Sequence, residues 1–209
     1  MKLQIIIAST RPTRSADKVA PWVIERAKAH PDFDVEVLDL RDWPLPFFQE
    51  HFGTLGNPQD PTYSEPIVKQ WNQKIKEGEA YLFVTAEYNH GMLGVLKNAI
   101  DSVWFSYGFR NKPAAFVGYS VGLSAGVRAI EQLAQVTIEC EMMPLRSTVI
   151  IPSVLSAFDD QGKPLNKGSE VAMTVLLDDL AWFGQVLKDA RAKGELRPPI
   201  MRFYEAMNA

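Results

Sequence analysis

Short, solidly apolar runs alternate with helix-spaced segments along the whole chain, and this alternation restricts the fold more than any other feature. Leu3–Ala8, Tyr81–Thr85, Ala114–Tyr119 and Thr148–Ile151 are runs in which apolar residues follow one another without the in–out alternation of a half-exposed strand. A strand of that kind is covered on both faces, the condition of a parallel sheet flanked by crossover helices. Val35–Leu40 alternates more weakly and reads as a further strand. The intervening segments have helical spacing. Ala16–Ala29 places Val19, Trp22, Val23 and Ala27 on one side and stops at His30-Pro31. Glu65–Lys76 does the same with Ile67, Val68, Trp71 and Ile75. Gly94–Val103, Ala125–Glu139 and the long Val171–Lys193 complete the set. Five β-α units predict a doubly wound, five-stranded parallel sheet with helices on both faces. Residues 1–209 are expected to form one such domain.

Composition narrows the function classes. The formal net charge is −3, and no basic run occurs, so a nucleic-acid partner is not expected. One cysteine, Cys140, excludes an internal disulfide and fits a reducing compartment. The apolar amino-terminal stretch is too short for a secretion signal and runs into Arg11 and Arg14. No apolar run reaches the length of a membrane span. The expected setting is cytoplasmic, away from membranes. His30, His51 and His90 with Cys140 make no cluster, so no metal site is expected.

In open α/β sheets, ligands bind where loops leave the carboxyl ends of the strands. The first such loop, Ser9-Thr10-Arg11-Pro12-Thr13-Arg14-Ser15, sets four hydroxyls and two guanidiniums ahead of a helix. A helix start offers unpaired N–H groups to an anion, and arginine adds charge-assisted bonds. The plainer reading is a helix cap at Ser15 with two solvated arginines. The turn lacks the glycines of a dinucleotide fingerprint, and no P-loop occurs anywhere. The turn therefore suits a cofactor with one terminal phosphate, such as FMN.

The second loop is Ala86-Glu87-Tyr88-Asn89-His90-Gly91, followed by Gly94-Val95-Leu96-Lys97-Asn98-Ala99-Ile100-Asp101. An Asn amide, exposed backbone donors and a Tyr ring suit a flat polar heterocycle; the alternative is a helix-entry turn and an exposed histidine. This segment resembles the E-Y-N-x-x-x-x-G-x-L-K-N-A-I-D signature of the NADPH-dependent FMN reductase family. The first loop is similar to that family's S-x-R-x-x-[SR] phosphate loop through Ser9, Arg11 and Arg14, with Ser15 adjacent. Ala8 stands where the family often has Gly, Ala86 where it usually has Pro, and Gly91 where it often has Ser. The third loop, Gly118–Arg128, shares small residues with the family's Gly/Ser-rich loop, at Ser120, Gly122 and Gly126.

The resemblance runs from about Leu3 to about Ile151. It implies a flavodoxin-like fold that binds FMN and uses NADPH or NADH to reduce a flavin, a quinone or a similar small acceptor by two-electron transfer. It implies no catalytic side chain, because the chemistry belongs to the cofactor. It places Ser9, Arg11, Arg14 and Ser15 on the phosphate, Ala86 to Gly91 along the ring, and Ser120 and Gly122 at the ring edge. It also implies a homodimer, for which the aromatic stretch Trp104–Phe109 is the candidate surface. Three other readings remain at this stage. One is a one-electron carrier of the flavodoxin type. Another is a reductase of azo dyes or a metal oxyanion such as chromate. The third is an interaction module built on the aromatic, proline-containing loop Arg41–Ser64.

Overall fold

The computed structural model describes residues 1–208. Its main sheet has strands β1 (Lys2–Ile7), β2 (Asp34–Asp39), β3 (Ala80–Ala86), β4 (Pro113–Tyr119) and β5 (Met143–Ile151). The order is β2-β1-β3-β4-β5, and every pair is parallel. This is the flavodoxin-like order. Ile5 lies between Val37 and Leu82, and Phe83 sits beside Phe116. β3 and β4 are buried along their whole length, as unbroken apolar runs demand.

The helices are α1 (Ala16–Lys28), α2 (Pro66–Glu77), α3 (Gly94–Asp101), α4 (Val127–Glu139), α5 (Lys167–Ala192) and α6 (Pro199–Met207). The chain steps from β1 outward to β2, then returns past β1 to β3. Right-handed crossovers then place α1 on one face and α2, α3 and α4 on the other, with α5 returning to the side of α1. The contacts agree. Trp22 Nε1 of α1 donates to Glu170 of α5 at 2.7 Å, and Trp71 Nε1 of α2 donates to the Ala99 carbonyl of α3 at 2.8 Å. The reversal of direction between β1 and β3 opens a crevice at their carboxyl ends, and three loops meet there.

Several boundaries differ from the sequence reading. β5 begins at Met143, five residues before the apolar run at Thr148. Its first half is an irregular edge, where the register on β4 jumps between Ala114 and Phe116. α3 stops at Asp101, and Trp104–Ser106 forms a separate 3₁₀ turn. The long loop after β2 is structured in part. It holds a helical turn at Phe52–Leu55 and a two-stranded ribbon pairing Gly56–Asn57 with Asp60–Pro61. Leu55 and Tyr63 of this loop pack with Val68 and Phe105 in a small second core, which explains its apolar content. The expected tail contains a helix, α6, in which no residue is buried. Among the described residues, no helix is long and apolar enough to cross a membrane.

Candidate active site

The first loop leaves β1 at the crevice. Ser9 is buried, while Thr10, Arg11, Pro12 and Thr13 are exposed. Among the described residues, none of the N–H groups of Ser9, Thr10, Arg11, Thr13, Arg14 and Ser15 donates to a backbone acceptor. Ser15 occupies the cap position of α1, yet its side chain makes no capping bond. The result is a run of free donors ahead of a helix, as an anion requires.

The two arginines of this turn take different roles. Arg14 points inward: Nη1 donates to the Ser9 carbonyl at 2.6 Å, Nε donates to Asp17 at 2.8 Å, and the guanidinium forks onto both oxygens of Asp39. Burial works to raise the Asp39 carboxyl, but the Arg14 hydrogen bond and charge, with help from Arg41, outweigh it and hold its pKa below the usual value. Arg14 thus shapes the turn from beneath instead of reaching outward, a role that its position in the motif did not indicate. Arg41 braces the same turn from outside, donating to the carbonyls of Arg11 and Pro12. Arg11 keeps its guanidinium free of carboxylates and lies 3.7 Å from the centroid of the Tyr88 ring.

Tyr88 belongs to the second loop. Ala86 closes β3 and is buried, so only its backbone can serve a ligand. Tyr88 and Gly91 exchange backbone hydrogen bonds of 3.0 and 3.1 Å around Asn89 and His90. Both central residues have positive φ, 47° and 70°, the two-residue hairpin geometry that asparagine favours. Their side chains are exposed. The Tyr88 hydroxyl lies 2.7 Å from Ser9 Oγ and joins this hairpin to the first loop. A Cβ at Gly91 would sit 2.5 Å from Gln132 Oε1, so any side chain there would push the Gln132 amide aside. The missing side chain of Gly91 points at α4, and bulk there would strike Gln132 first.

Glu87 turns away from solvent. Its side chain is 4% exposed and accepts from Arg128 and Ser124 on one oxygen, while Oε2 has no partner among the described residues. Burial raises the Glu87 carboxyl, and the Arg128 hydrogen bond and charge reverse this, leaving its pKa below the usual value. The third loop is anchored at its ends. The Ser120 N–H donates to the Ile151 carbonyl and its own carbonyl accepts from Val154 at 3.0 Å, while Gly122 and Leu123 project into solvent. Gly126 has φ 87°, and a Cβ there would stand 2.6 Å from the Tyr119 nitrogen, so only glycine fits at this helix start. The Tyr119 hydroxyl is buried and has no hydrogen-bond partner among the described residues.

The loops gather hydroxyls, one free guanidinium, free N–H groups and two orphaned buried oxygens. Those donors and acceptors fit a phosphorylated, flat, polar cofactor such as FMN. A cavity of about 870 Å³ lies elsewhere, between α6 and the Trp104–Tyr107 turn. Its aromatic and aliphatic walls include Phe52, Phe203 and Ile138, and such a surface lacks the donors that a phosphate needs.

Comparison with known proteins agrees with the loop geometry. Residues 1–155 match the model of the NADPH-dependent FMN reductase family. The chain belongs to that family. It is an FMN-dependent oxidoreductase that draws electrons from NAD(P)H, and the expected fold and cofactors hold. An NAD(P)H-dependent FMN reductase of Pseudomonas aeruginosa is 37% identical over 141 residues, covering 65% of this chain and 70% of that protein. A quinone reductase of Pseudomonas putida is 29% identical over 184 residues, covering 85% of this chain and 91% of its own length. Among solved structures, the flavoenzyme NAD(P)H:(acceptor) oxidoreductase FerB from Paracoccus denitrificans superposes with a TM-score of 0.70 at 17% identity. That match covers 88% of this chain and 97% of FerB, and it speaks to the fold alone.

The sequence reading did not single out Asp39, Asp17, Arg41, Tyr119 or Gln132. The signals of Asp39, Arg41 and Gln132 were faint, because each acts on a partner distant in sequence, as Asp39 does on Arg14.

Proposed function

We propose that this protein passes two electrons from NADPH or NADH to a quinone or a similar small acceptor through FMN held by the three loops. The observation that carries this reading is the first turn, whose free N–H groups and unpaired Arg11 stand one hydroxyl contact from the Tyr88 hairpin. Ser9, Arg11 and Ser15 would hold the phosphate, with Arg14 setting the turn's shape. The backbone from Ala86 through Gly91 would line the ring, with Asn89 and His90 at its exposed side and Ser120 and Gly122 at its edge. Backbone donors in the hairpin would favour negative charge on the ring, in the manner of a preorganised anion hole. FMN held there would supply the hydride and electron transfer, which the side chains of this site do not provide. No acidic or basic side chain is needed for that transfer. The Pseudomonas putida relative supports a quinone-type acceptor.

The working unit in this reading is a cytoplasmic homodimer with residues 1–209 as one domain in each copy. Trp104 and Tyr107 remain half-exposed while Phe105 and Phe109 enter the core, so part of the aromatic stretch is free for a second copy. The test is spectroscopic. Protein mixed with FMN should show absorption bands displaced from free FMN and should prefer FMN to FAD. Anaerobic NADPH should bleach the bands in one step, and a benzoquinone should restore them. Tight FAD binding without preference for FMN, or reduction that halts at a stable one-electron stage, overturns the reading.

A further inference from the structure

We infer that α4 is a two-point clasp on the Tyr88–Gly91 hairpin, with Arg128 and Gln132 as positioning residues for the cofactor. The inference rests on the reading of that hairpin as the ring-binding loop. Arg128 and Gln132 lie four residues apart on α4, so they project from one face, one turn apart. Arg128 reaches the entry to the hairpin, where Nε donates to Glu87 at 2.6 Å and a second guanidinium nitrogen closes on the same oxygen. Gln132 reaches the exit, where Oε1 accepts from the Met92 N–H at 3.0 Å and Nε2 donates towards the His90 carbonyl at 3.4 Å. The absence of a side chain at Gly91 is what lets Gln132 come this close.

Three further observations make the clasp directional. First, the start of α4 cannot drift. Ala125 and Gly126 both have positive φ, and Gly126 packs onto the backbone of Gly118 and Tyr119. The helix is thereby fixed to β4, and the hairpin is the part that is held. Second, Arg128 occupies the first turn of a helix, where the macrodipole disfavours a cation. Its pairing with Glu87 offsets that placement. Third, Glu87 relies on this one arginine. Its side chain is 4% exposed against 39% for Arg128, and its second oxygen has no donor among the described residues. Removing Arg128 would leave a buried carboxylate with only Ser124 for company, and the hairpin would have to move to hydrate it.

Flavin titrations on four proteins test the clasp: the wild type, Arg128→Ala, Gln132→Ala and the double variant Glu87→Gln/Arg128→Ala. The hairpin would face the ring and not the phosphate, so FMN and riboflavin should weaken by the same factor. Arg128→Ala should weaken both about tenfold, since a half-exposed arginine over a buried carboxylate falls between surface and buried pairs. Gln132→Ala should weaken both about threefold, as expected for loss of a neutral hydrogen bond. Glu87→Gln/Arg128→Ala removes the stranded charge and should recover most of the loss, with the bound flavin's visible bands back at wild-type positions. Should Arg128→Ala fail to fold, Gln132→Ala still tests the clasp through its other arm, and wild-type binding of both flavins by that variant would overturn it. Loss of FMN binding with riboflavin unaffected would make Arg128 a phosphate ligand and overturn the clasp. So would folded Arg128→Ala and Gln132→Ala variants that both bind the two flavins like the wild type. A wild-type protein that binds neither flavin would instead refute the reading of the loops.

Discussion

The two ends of the parallel sheet handle buried polar groups in opposite ways. At the amino end, Lys112 enters the core just before β4 and is 8% exposed. Its ammonium donates to the Gly108 carbonyl at 2.6 Å, the Lys76 carbonyl at 3.1 Å and the Tyr81 hydroxyl at 3.3 Å. Lys76 lies in the last turn of α2, so Lys112 serves carbonyls that the helix itself cannot pair. The Gln4 amide nitrogen does likewise for the Lys74 carbonyl at 2.7 Å, although its own oxygen stays unpaired. At the carboxyl end the first turn leaves a row of N–H groups free, and Tyr119 and Glu87 each keep an oxygen without a partner. One end uses its polar groups to complete the fold. The other holds them ready, and the missing partners are the kind that a phosphorylated heterocycle provides.

That contrast can be broken by experiment. Lys112→Ala should cost about 3 kcal/mol of stability, because two carbonyls and a hydroxyl lose their donor in the core. FMN affinity should change less than twofold; urea unfolding and flavin titration on the same preparation separate the two. A large loss of FMN affinity would mean that the ends are coupled and the contrast is false. Gly126→Ala should cost about 2 kcal/mol through its left-handed backbone and the clash with Tyr119. Unlike the lysine variant, it should also weaken FMN, since it displaces the third loop and the start of α4. Arg11→Ala should leave the unfolding midpoint almost unchanged and weaken FMN by about 1.5 kcal/mol, with riboflavin hardly affected. Equal losses for the two ligands would move Arg11 away from the phosphate.

The same lysine also predicts a pH dependence. Burial, with Arg191 nearby, pushes the Lys112 ammonium down to about 7 from an ordinary value of 10.5. Between those values the unfolded chain holds a proton that the folded chain has released. Stability should therefore rise with pH across that window, and below about 7 the full cost of the buried charge is felt. From pH 7 to pH 9 the gain should be about 2 kcal/mol. Lys112→Met should abolish the slope, and an unchanged slope in that variant would assign it to another group.

The sheet was legible in the sequence where burial was complete. β3 and β4 are apolar at nearly every position because both faces are covered, and both appeared within a residue or two of their ends. β5 was legible only from Thr148, because Pro144, Arg146 and the register break belong to an edge that packs irregularly. α6 was not foreseen, since a helix that buries nothing has no need of an apolar face facing the core. At the site, the loops could be located from strand order, and their residue types pointed to a phosphate and a ring. Side-chain direction could not be read. Arg11 and Arg14 look alike in the motif, and it is Asp39, on a neighbouring strand, with the Ser9 carbonyl that draws Arg14 inward. Glu87 looked like a loop carboxylate until Arg128, 41 residues later, proved to be its partner.

The contact between Ser9 and Tyr88 has a polarity of its own. Each hydroxyl carries one hydrogen, and either atom can be the donor across their 2.7 Å separation. An anion that accepts from Ser9 removes that choice: the serine hydrogen is committed outward, and the phenol must then donate to the serine oxygen. The orientation of one O–H bond in the hairpin would thus record whether the turn beside it is filled. Chains of this kind strengthen link by link, so filling the turn would stiffen the hairpin before any ring touched it. Tyr88→Phe would sever that line of communication while keeping the ring on which Arg11 rests.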